Sequence, residues 1–283
     1  MNTEINIDPY SPQEMAQKAE SAGVKKANLD FLPLLILGIL AGVFIGFGAA
    51  LFILITHDSI FSYGLTQILG GFVFSFGLIF VIVSGAELFT GNNLLTMAFA
   101  DKKITFRQLG RNWAIVYLGN LIGAVGLALF LDAAGVWEVN GGLFGAKAVS
   151  IAAAKTALPL LPLFVRAVLA NTLVCLAVWL SYAGRSVVDK MAGIVLPVTA
   201  FVALGFEHSI ANMFFIFAGW LAKQNPAVLE KLGALDFAGI SFAGFVYNIF
   251  WSTLGNIFGG AVLVGLVYWF VYLRDKQKTE NRK

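Results

Sequence analysis

One short stretch decides how this chain folds: GFEHSIAN, at residues 205–212. It carries the carboxylate of Glu207, the imidazole of His208, a hydroxyl and an amide within a few positions. The surrounding run, residues 187–221, is almost wholly apolar. Because ionisable groups are costly inside a lipid bilayer, this cluster is a candidate functional site.

A second stretch has the same pattern and reads GAELFTGN, at residues 85–92. Both stretches contain Gly-x-Glu with an asparagine five residues after the glutamate, and the two glutamates lie 120 positions apart. We interpret Glu87 and Glu207 as equivalent positions of an internal repeat.

The composition is that of an integral membrane protein. Of 283 residues, 59% are hydrophobic and only 12% are charged, whereas soluble domains carry about 25% charged residues. The net charge of +3 is small and spread over loops and ends, so we expect no nucleic-acid partner. The N-terminus lacks the pattern of a cleaved signal peptide. The single cysteine, Cys175, is interpreted as a buried structural thiol.

Residues 1–30 are polar and form a separate N-terminal segment. The sequence SPQE at residues 11–14 has the form of a capping box with proline at the first helical position. It predicts a short helix over residues 12–22 that lies on the membrane surface and stops at Gly23.

Six apolar regions follow, and two of them have an unusual length. A membrane span needs about 20 residues, but the second and fifth regions have 33 and 36. We predict that each is one helix broken at mid-membrane, which requires that the freed backbone is buried in protein or lines a cavity. The regions are 31–56, 68–100, 113–131, 160–182, 187–222 and about 243–272.

A second pair of matching motifs defines the repeat unit. LGNLIG occurs at residues 118–123 and LGNIFG at 254–259. The unit therefore has three spans, over about 31–132 and 160–273, and the second copy enters the membrane inverted. The predicted fold is an all-α, aquaporin-like bundle in which Asn92, Asn212, Asn120 and Asn256 join helices by hydrogen bonds.

Lysine and arginine predict the orientation. Both chain ends and the loops predicted on the same side of the membrane as the N-terminus hold 14 of the 19 basic residues. Since basic loops remain in the cytoplasm, both termini, including a tail at residues 274–283, are expected there. The protein is expected to be a multi-pass protein of a prokaryotic plasma (inner) membrane.

His208 is the main candidate for chemistry in the pore. Its imidazole could change charge at cellular pH, attract an anion or pass a proton to one. The alternative is a buried histidine that hydrogen bonds to a neighbouring helix. Thr90 and Asn171 are the expected polar partners of His208. Lys155 could draw anions toward the outer mouth, or could simply be solvated.

The remaining candidates have structural alternatives. Glu87 and Glu207 could carry protons, or could accept hydrogen bonds from amides freed where the helices break; their duplication favours the structural role. Phe74, Leu78 and Phe201 precede the breaks and are either ordinary packing residues or rings that narrow a pore.

Several motifs resemble those of the formate/nitrite transporter family, over nearly the whole chain. The two break sequences are similar to the two helix breaks of that family. Further segments resemble its formate-channel branch: ANTLVCLAVW at 170–179, GRS at 184–186, DK at 189–190 and YWFVYLR at 268–274.

This resemblance implies a homopentamer with one pore in each subunit. It implies that His208 is the central pore histidine, beside Thr90 and Asn171, and that Lys155 lies near the outer vestibule. The implied constriction and gating residues are Phe74, Phe201 and Leu78, with Leu88 and Phe89 in a mobile loop after Glu87.

We therefore predict a channel or transporter for formate and related small monovalent anions, passive or coupled to protons. Nitrite or hydrosulfide is the alternative cargo. A neutral-solute channel of aquaporin type is less supported, because the breaks read TGN and IAN in place of Asn-Pro-Ala. An intramembrane metalloenzyme would need more ligands than two histidines supply, so no enzymatic activity, cofactor or metal is expected.

Overall fold

The computed structural model describes residues 8–274, and every regular element in that range is helical. The predictions for residues 1–7 and for the tail after Arg274 fall outside the described residues. The first half contains α1 (Pro12–Ala27), α2 (Phe31–Thr56), α3 (Tyr63–Ser84), a 3₁₀ turn (Gly91–Leu95), α4 (Thr96–Ala100) and α5 (Phe106–Ala133). The second contains a 3₁₀ turn (Val136–Glu138), α6 (Leu143–Thr156), α7 (Leu160–Ala183), α8 (Val187–Ala203), α9 (Ser209–Ala222), α10 (Pro226–Leu229), α11 (Phe242–Ile257), a π-helix (Phe258–Leu266) and α12 (Val267–Tyr272).

Five helices in the described range are long and apolar enough to cross a membrane. They are α2, α3, α5, α7 and the continuous rod Phe242–Tyr272. The other predicted crossing falls on α8 and α9, which have 17 and 14 residues. Each is shorter than the about 20 residues of a full span, as expected for a helix interrupted in its middle.

Both predicted helix breaks are present, and a glycine ends the helix at each. The region around the first break is not split into two half-spans as predicted, however, because α3 has 22 residues and is long enough to cross a membrane by itself. Gly85 and Gly205 adopt left-handed φ angles of 78° and 66°. After them, the amide of Ala86 bonds back to Val81 O at 2.9 Å, and that of Phe206 to Phe201 O at 3.0 Å. In each case the amide after the glycine bonds to the carbonyl five residues earlier. This helix C-cap pattern ends the helix and satisfies one of its last carbonyls.

Two buried asparagines reconnect the backbone of the broken segments. Asn120 donates to Gly38 O and Glu87 O, at 2.8 and 2.9 Å, and its Oδ1 accepts the Phe89 amide at 2.9 Å. These are the interhelical hydrogen bonds that the sequence predicted for this residue. The bond to Gly38 joins α5 to α2, and the other two join α5 to the first break.

The second break has the same arrangement. Asn256 donates to Ala167 O and Glu207 O, at 2.7 and 2.9 Å. Its Oδ1 accepts the Ser209 amide at 2.8 Å. Two copies of one hydrogen-bond pattern therefore hold the two breaks, and the internal repeat is visible in side-chain chemistry.

The long helices of each half pack through glycines. A Cβ on Gly123 of α5 would lie 2.0 Å from Ile39 O of α2, and one on Gly259 would lie 2.1 Å from Val168 O of α7. Such close backbone approach is typical of small-residue contacts between membrane helices. It brings Asn120 and Asn256 within reach of the neighbouring carbonyls.

The N-terminal helix differs from its prediction in two ways. Helix α1 does not end at Gly23 but continues to Ala27, where Asn28 caps it. Its apolar side also packs on the helical bundle and does not face a membrane surface. The residues in this contact are Met15, Ala16 and Ala19 of α1, and Leu94, Met97 and Trp179 of the bundle. We call the side of the bundle that bears α1, Asp101 and Tyr272 the α1 face.

A charged cluster ties α1 to the segment that follows the first break. Lys103 Nζ lies 2.5 Å from a Glu20 carboxylate oxygen and 3.2 Å from one of Asp101. Burial, together with the neighbouring Asp101 carboxylate, raises the pKa of Glu20 to about 7. Glu20 therefore holds a proton more readily when α1 is docked than when it is free.

We predict that Gly85→Ala and Gly205→Ala each destabilise the protein by about 1 kcal/mol, because Cβ disfavours the left-handed region. Neither position has an atom within 4 Å of an added Cβ, so the cost comes from the backbone alone. Thermal unfolding in detergent measures it. Gly126→Ala, inside α5 and also free of contacts, is the matched control and should not destabilise.

We also predict that docking of α1 weakens as pH rises. A carboxyl whose pKa is raised from 4.5 to about 7 binds more protons in the docked state, so its stabilisation is lost between those values. A spin label at exposed Ser21 should become more mobile across that range. Glu20→Gln should remove the pH dependence; an unchanged profile in this variant would contradict the assignment to Glu20.

Candidate transport pathway

Two cavities lie on either side of the breaks. The Lys155 cavity, on the face opposite α1, has a volume of about 280 Å³ and reaches down to Phe74, Phe201 and His208. The Lys26 cavity, on the α1 face, has only about 40 Å³ and is lined by Leu78, Leu88 and Asn92. Ala19 and Gly23 of α1 also line it, so α1 covers this end.

A narrow apolar segment separates the two cavities. The rings of Phe74 and Phe201 meet edge to face at 5.8 Å between centroids. Phe74, Leu78, Leu88, Phe201 and His208 surround a gap with no room for a water molecule. The structure thus places four of the five predicted constriction residues together. The fifth, Phe89, instead packs its ring on Trp113 and Tyr117, at 6.0 and 4.9 Å.

The hydrogen bonds of His208 determine which nitrogen carries its proton. The imidazole is buried and caps the N-terminus of α9, with Nδ1 accepting the Ala211 amide at 3.0 Å. An accepting Nδ1 must keep its lone pair, so the neutral ring carries hydrogen on Nε2. Nε2 lies 2.9 Å from Thr90 Oγ1 and therefore donates to it. Gaining a second proton would require Nδ1 to give up the cap.

Asn171 lies behind Thr90 and does not touch the imidazole. Its amide nitrogen donates to Asn93 Oδ1 and Asn256 O, both at 2.7 Å, and reaches Thr90 O at 3.3 Å. Cys175 Sγ also donates to Thr90 O, at 3.4 Å. Asn171 and Cys175 therefore fix the backbone of Thr90, whose hydroxyl meets His208.

A lysine, a glutamate and two asparagines form a buried cluster beside the second break. Lys155 Nζ lies 3.0 Å from Glu207 Oε1. Asn212 donates to Glu207 Oε2 at 2.6 Å and to Asn248 Oδ1 at 2.8 Å. Asn248 in turn donates to Lys155 O at 2.9 Å. The Lys155 ammonium is thus already paired.

The first break has the same cluster. Lys26 Nζ lies 3.1 Å from Glu87 Oε1. Asn92 donates to Glu87 Oε2 at 2.7 Å and to Asn112 Oδ1 at 2.9 Å, and Asn112 donates to Lys26 O at 3.0 Å. Helix α1 is therefore the counterpart of α6: each supplies one lysine to one break, and the structural repeat begins before the first span.

These contacts change the interpretation of the two glutamates. The amides of Glu87 and Glu207 bond to Leu37 O and Arg166 O, at 3.1 and 3.4 Å. The freed amides thus do not use the carboxylates, which instead accept from a lysine and an asparagine. Charge-assisted bonds of this kind anchor helices firmly.

The sequence reasoning missed Lys26, Asn112 and Asn248. A signal for the asparagines was present, because Asn112 precedes Asn120, and Asn248 precedes Asn256, by eight residues. That spacing places each pair on one helix face, about two turns apart. Lys26 had no comparable signal, since it lies in a polar segment outside the predicted repeat.

Two interrupted helices that enclose a constriction between two cavities define a membrane channel or transporter. Comparison with known proteins agrees: residues 13–270 match the sequence profile of the family described as formate/nitrite transporter. The chain belongs to the formate/nitrite transporter family.

The relatives include the formate channel FocA of Escherichia coli K12, with 40% identity over 97% of this chain and 99% of that protein. A probable formate transporter of Methanothermobacter thermautotrophicus has 35% identity over 94% and 98%. A solved structure described as a pentameric formate channel with formate bound has a TM-score of 0.78 and 37% identity, over 90% of this chain and 99% of that one.

We predict that Lys155→Met destabilises the protein by about 3 kcal/mol, because it leaves the Glu207 carboxylate buried without its cation. The double variant Lys155→Met/Glu207→Gln should recover most of that loss. Thermal unfolding of the parent, both single variants and the double variant measures the coupling energy. A loss in the double variant equal to the sum of the losses in Lys155→Met and Glu207→Gln would show that the pair is not energetically coupled.

Proposed function

We propose that this protein conducts formate and related small monovalent anions across the plasma membrane of a prokaryote. The observation that carries the proposal is the buried His208–Thr90 pair at the apolar gap between the two cavities. The relatives support it, since several of them are named formate channels.

The gap sets a physical requirement on the cargo. An anion that passes between Phe74 and Phe201 loses most of its water, which is costly unless hydrogen-bond donors replace it. His208 lines the gap, and its Nε2–H, freed by rotation of Thr90, and the Thr90 hydroxyl that it contacts are the donors we assign to the anion. Two donors suit a small anion with a single delocalised charge.

The tautomer of His208 bears on proton coupling. In the described conformation the ring can offer a hydrogen bond, but it cannot accept a proton at Nδ1 while that atom caps α9. We therefore infer that His208 conducts the anion as a neutral donor, and that proton transfer to the anion requires release of the Ala211 amide.

The proposal extends to the oligomeric state of the protein and to its orientation in the membrane. We propose a homopentamer, supported by the structural neighbour described as pentameric. We also propose that the α1 face is cytoplasmic, because most basic residues lie in the loops and ends of that side, and basic loops tend to remain in the cytoplasm. The chain acts in transport rather than catalysis, as its family does.

We predict that His208→Asn and His208→Ala both reduce formate flux in proteoliposomes by at least about ten-fold, the effect of losing about 1.4 kcal/mol of stabilisation at the gap. Asparagine still caps helices well, whereas alanine does not. The two variants should therefore differ in thermal stability but not in flux.

The controls separate the pore chemistry from folding. Thr90→Ser keeps the hydroxyl and should conduct like the parent, whereas Thr90→Val should not. Competition with nitrite in the same assay tests the alternative cargo. A parent protein that conducts no formate, or a His208→Asn variant with undiminished flux and unchanged pH dependence, contradicts the proposal.

A further inference from the structure

The residues that line the Lys155 cavity include more cations than the one that pairs with Glu207. Four of the residues that line it carry charge: Lys147, Lys155, Arg166 and Glu207. Lys155 and Glu207 neutralise each other at 3.0 Å. The wall of the cavity therefore keeps two positive charges, on Lys147 and Arg166, which no role described so far uses.

Neither of these two cations has a carboxylate partner in the described part of the chain, where the ion pairs within 4.0 Å involve other residues. Lys147 lies on α6 and is half-buried, and this burial lowers the pKa of its ammonium. A partly desolvated cation without a counter-charge is costly, and a bound anion would offset that cost.

Arg166 lies in the second turn of α7, is exposed to solvent and is one of the residues that line the cavity. Its backbone carbonyl accepts the Glu207 amide, so the second break fixes its position. A guanidinium presents paired donors that match a carboxylate. Two further polar side chains, Gln67 and Ser150, line the same cavity and can supply neutral hydrogen bonds.

The volume of the cavity indicates that it can hold a ligand larger than one that could pass the gap. About 280 Å³ accommodates several water molecules, since roughly 10–15 Å³ suffices for one. The gap beneath it holds none. The cavity can therefore receive carboxylates that are too bulky to pass between Phe74 and Phe201.

We propose that Lys147 and Arg166 form a carboxylate-binding site in the Lys155 cavity, separate from the His208 gap. The inference rests on the proposed function only in taking formate as the transported anion. The binding of carboxylates at this site does not depend on that function. The site concentrates formate at this mouth, and it also binds larger monocarboxylates, which then obstruct entry from this side alone.

Binding without transport provides the first test. Calorimetric titration of the detergent-solubilised oligomer with benzoate should show binding to the parent protein. Lys147→Gln/Arg166→Gln should weaken this binding by at least about ten-fold, whereas Lys147→Arg/Arg166→Lys, which keeps both charges, should retain it. No benzoate binding to the parent, or equal binding to the Gln variant, overturns the site.

Flux provides the second test, in vesicles of defined orientation. For formate entry from the Lys155 cavity, the Gln double variant should raise KM about five-fold and leave kcat unchanged, because the focusing charge is lost. Added salt should raise the KM of the parent toward that of the variant. Lys231→Gln, at an exposed position of the loop after α10, is the matched control and should leave KM unchanged.

The outcomes separate this inference from the proposed function. If the parent binds benzoate but conducts no formate, the site stands and the formate channel does not. If the parent conducts formate and the Gln variant keeps its KM, the site is overturned. An equal rise in KM for Lys231→Gln would assign the effect to general surface charge and would also overturn it.

Discussion

The structure depends on one constraint: a backbone that leaves its helix in a low-dielectric region must still satisfy its amides and carbonyls. Asn120 and Asn256 meet this constraint by joining each break to a neighbouring helix through both ends of one carboxamide. The glycine contacts between α2 and α5, and between α7 and α11 with its π-helical continuation, bring the asparagines close enough. The positions of both breaks, and of the side chains they carry, follow from these bonds.

The inverted repeat has one chemistry at both breaks, but the two ends of the pathway differ. Each break is secured by a lysine, a glutamate and two asparagines, with Lys26 from α1 and Lys155 from α6. The Lys26 cavity, which Ala19 and Gly23 of α1 line, has about 40 Å³, against about 280 Å³ for the Lys155 cavity. Only the Lys155 cavity carries additional cations. The repeated scaffold thus supports a larger, more basic cavity on one side and a smaller one on the other.

His208, the proposed donor to the anion, also has a structural task. By capping α9 through Nδ1, His208 directs its Nε2–H toward Thr90, and Asn171 and Cys175 hold the Thr90 backbone. The donor at the gap is therefore pre-organised, since its orientation is part of the helix N-terminus. The same arrangement couples any change in the charge of the ring to the conformation of α9.

The sequence by itself determined the membrane class, the two helix interruptions and the duplicated motifs at them. Each of these depends on local rules: hydropathy, the length of a span, and the left-handed preference of Gly85 and Gly205. Only the tertiary structure decided that Lys26 pairs with Glu87, that Asn171 lies behind Thr90, that Phe89 packs away from the gap, and that Lys147 and Arg166 share one cavity. These contacts join residues far apart in the chain, and their geometry depends on how the helices pack, which no local pattern specifies.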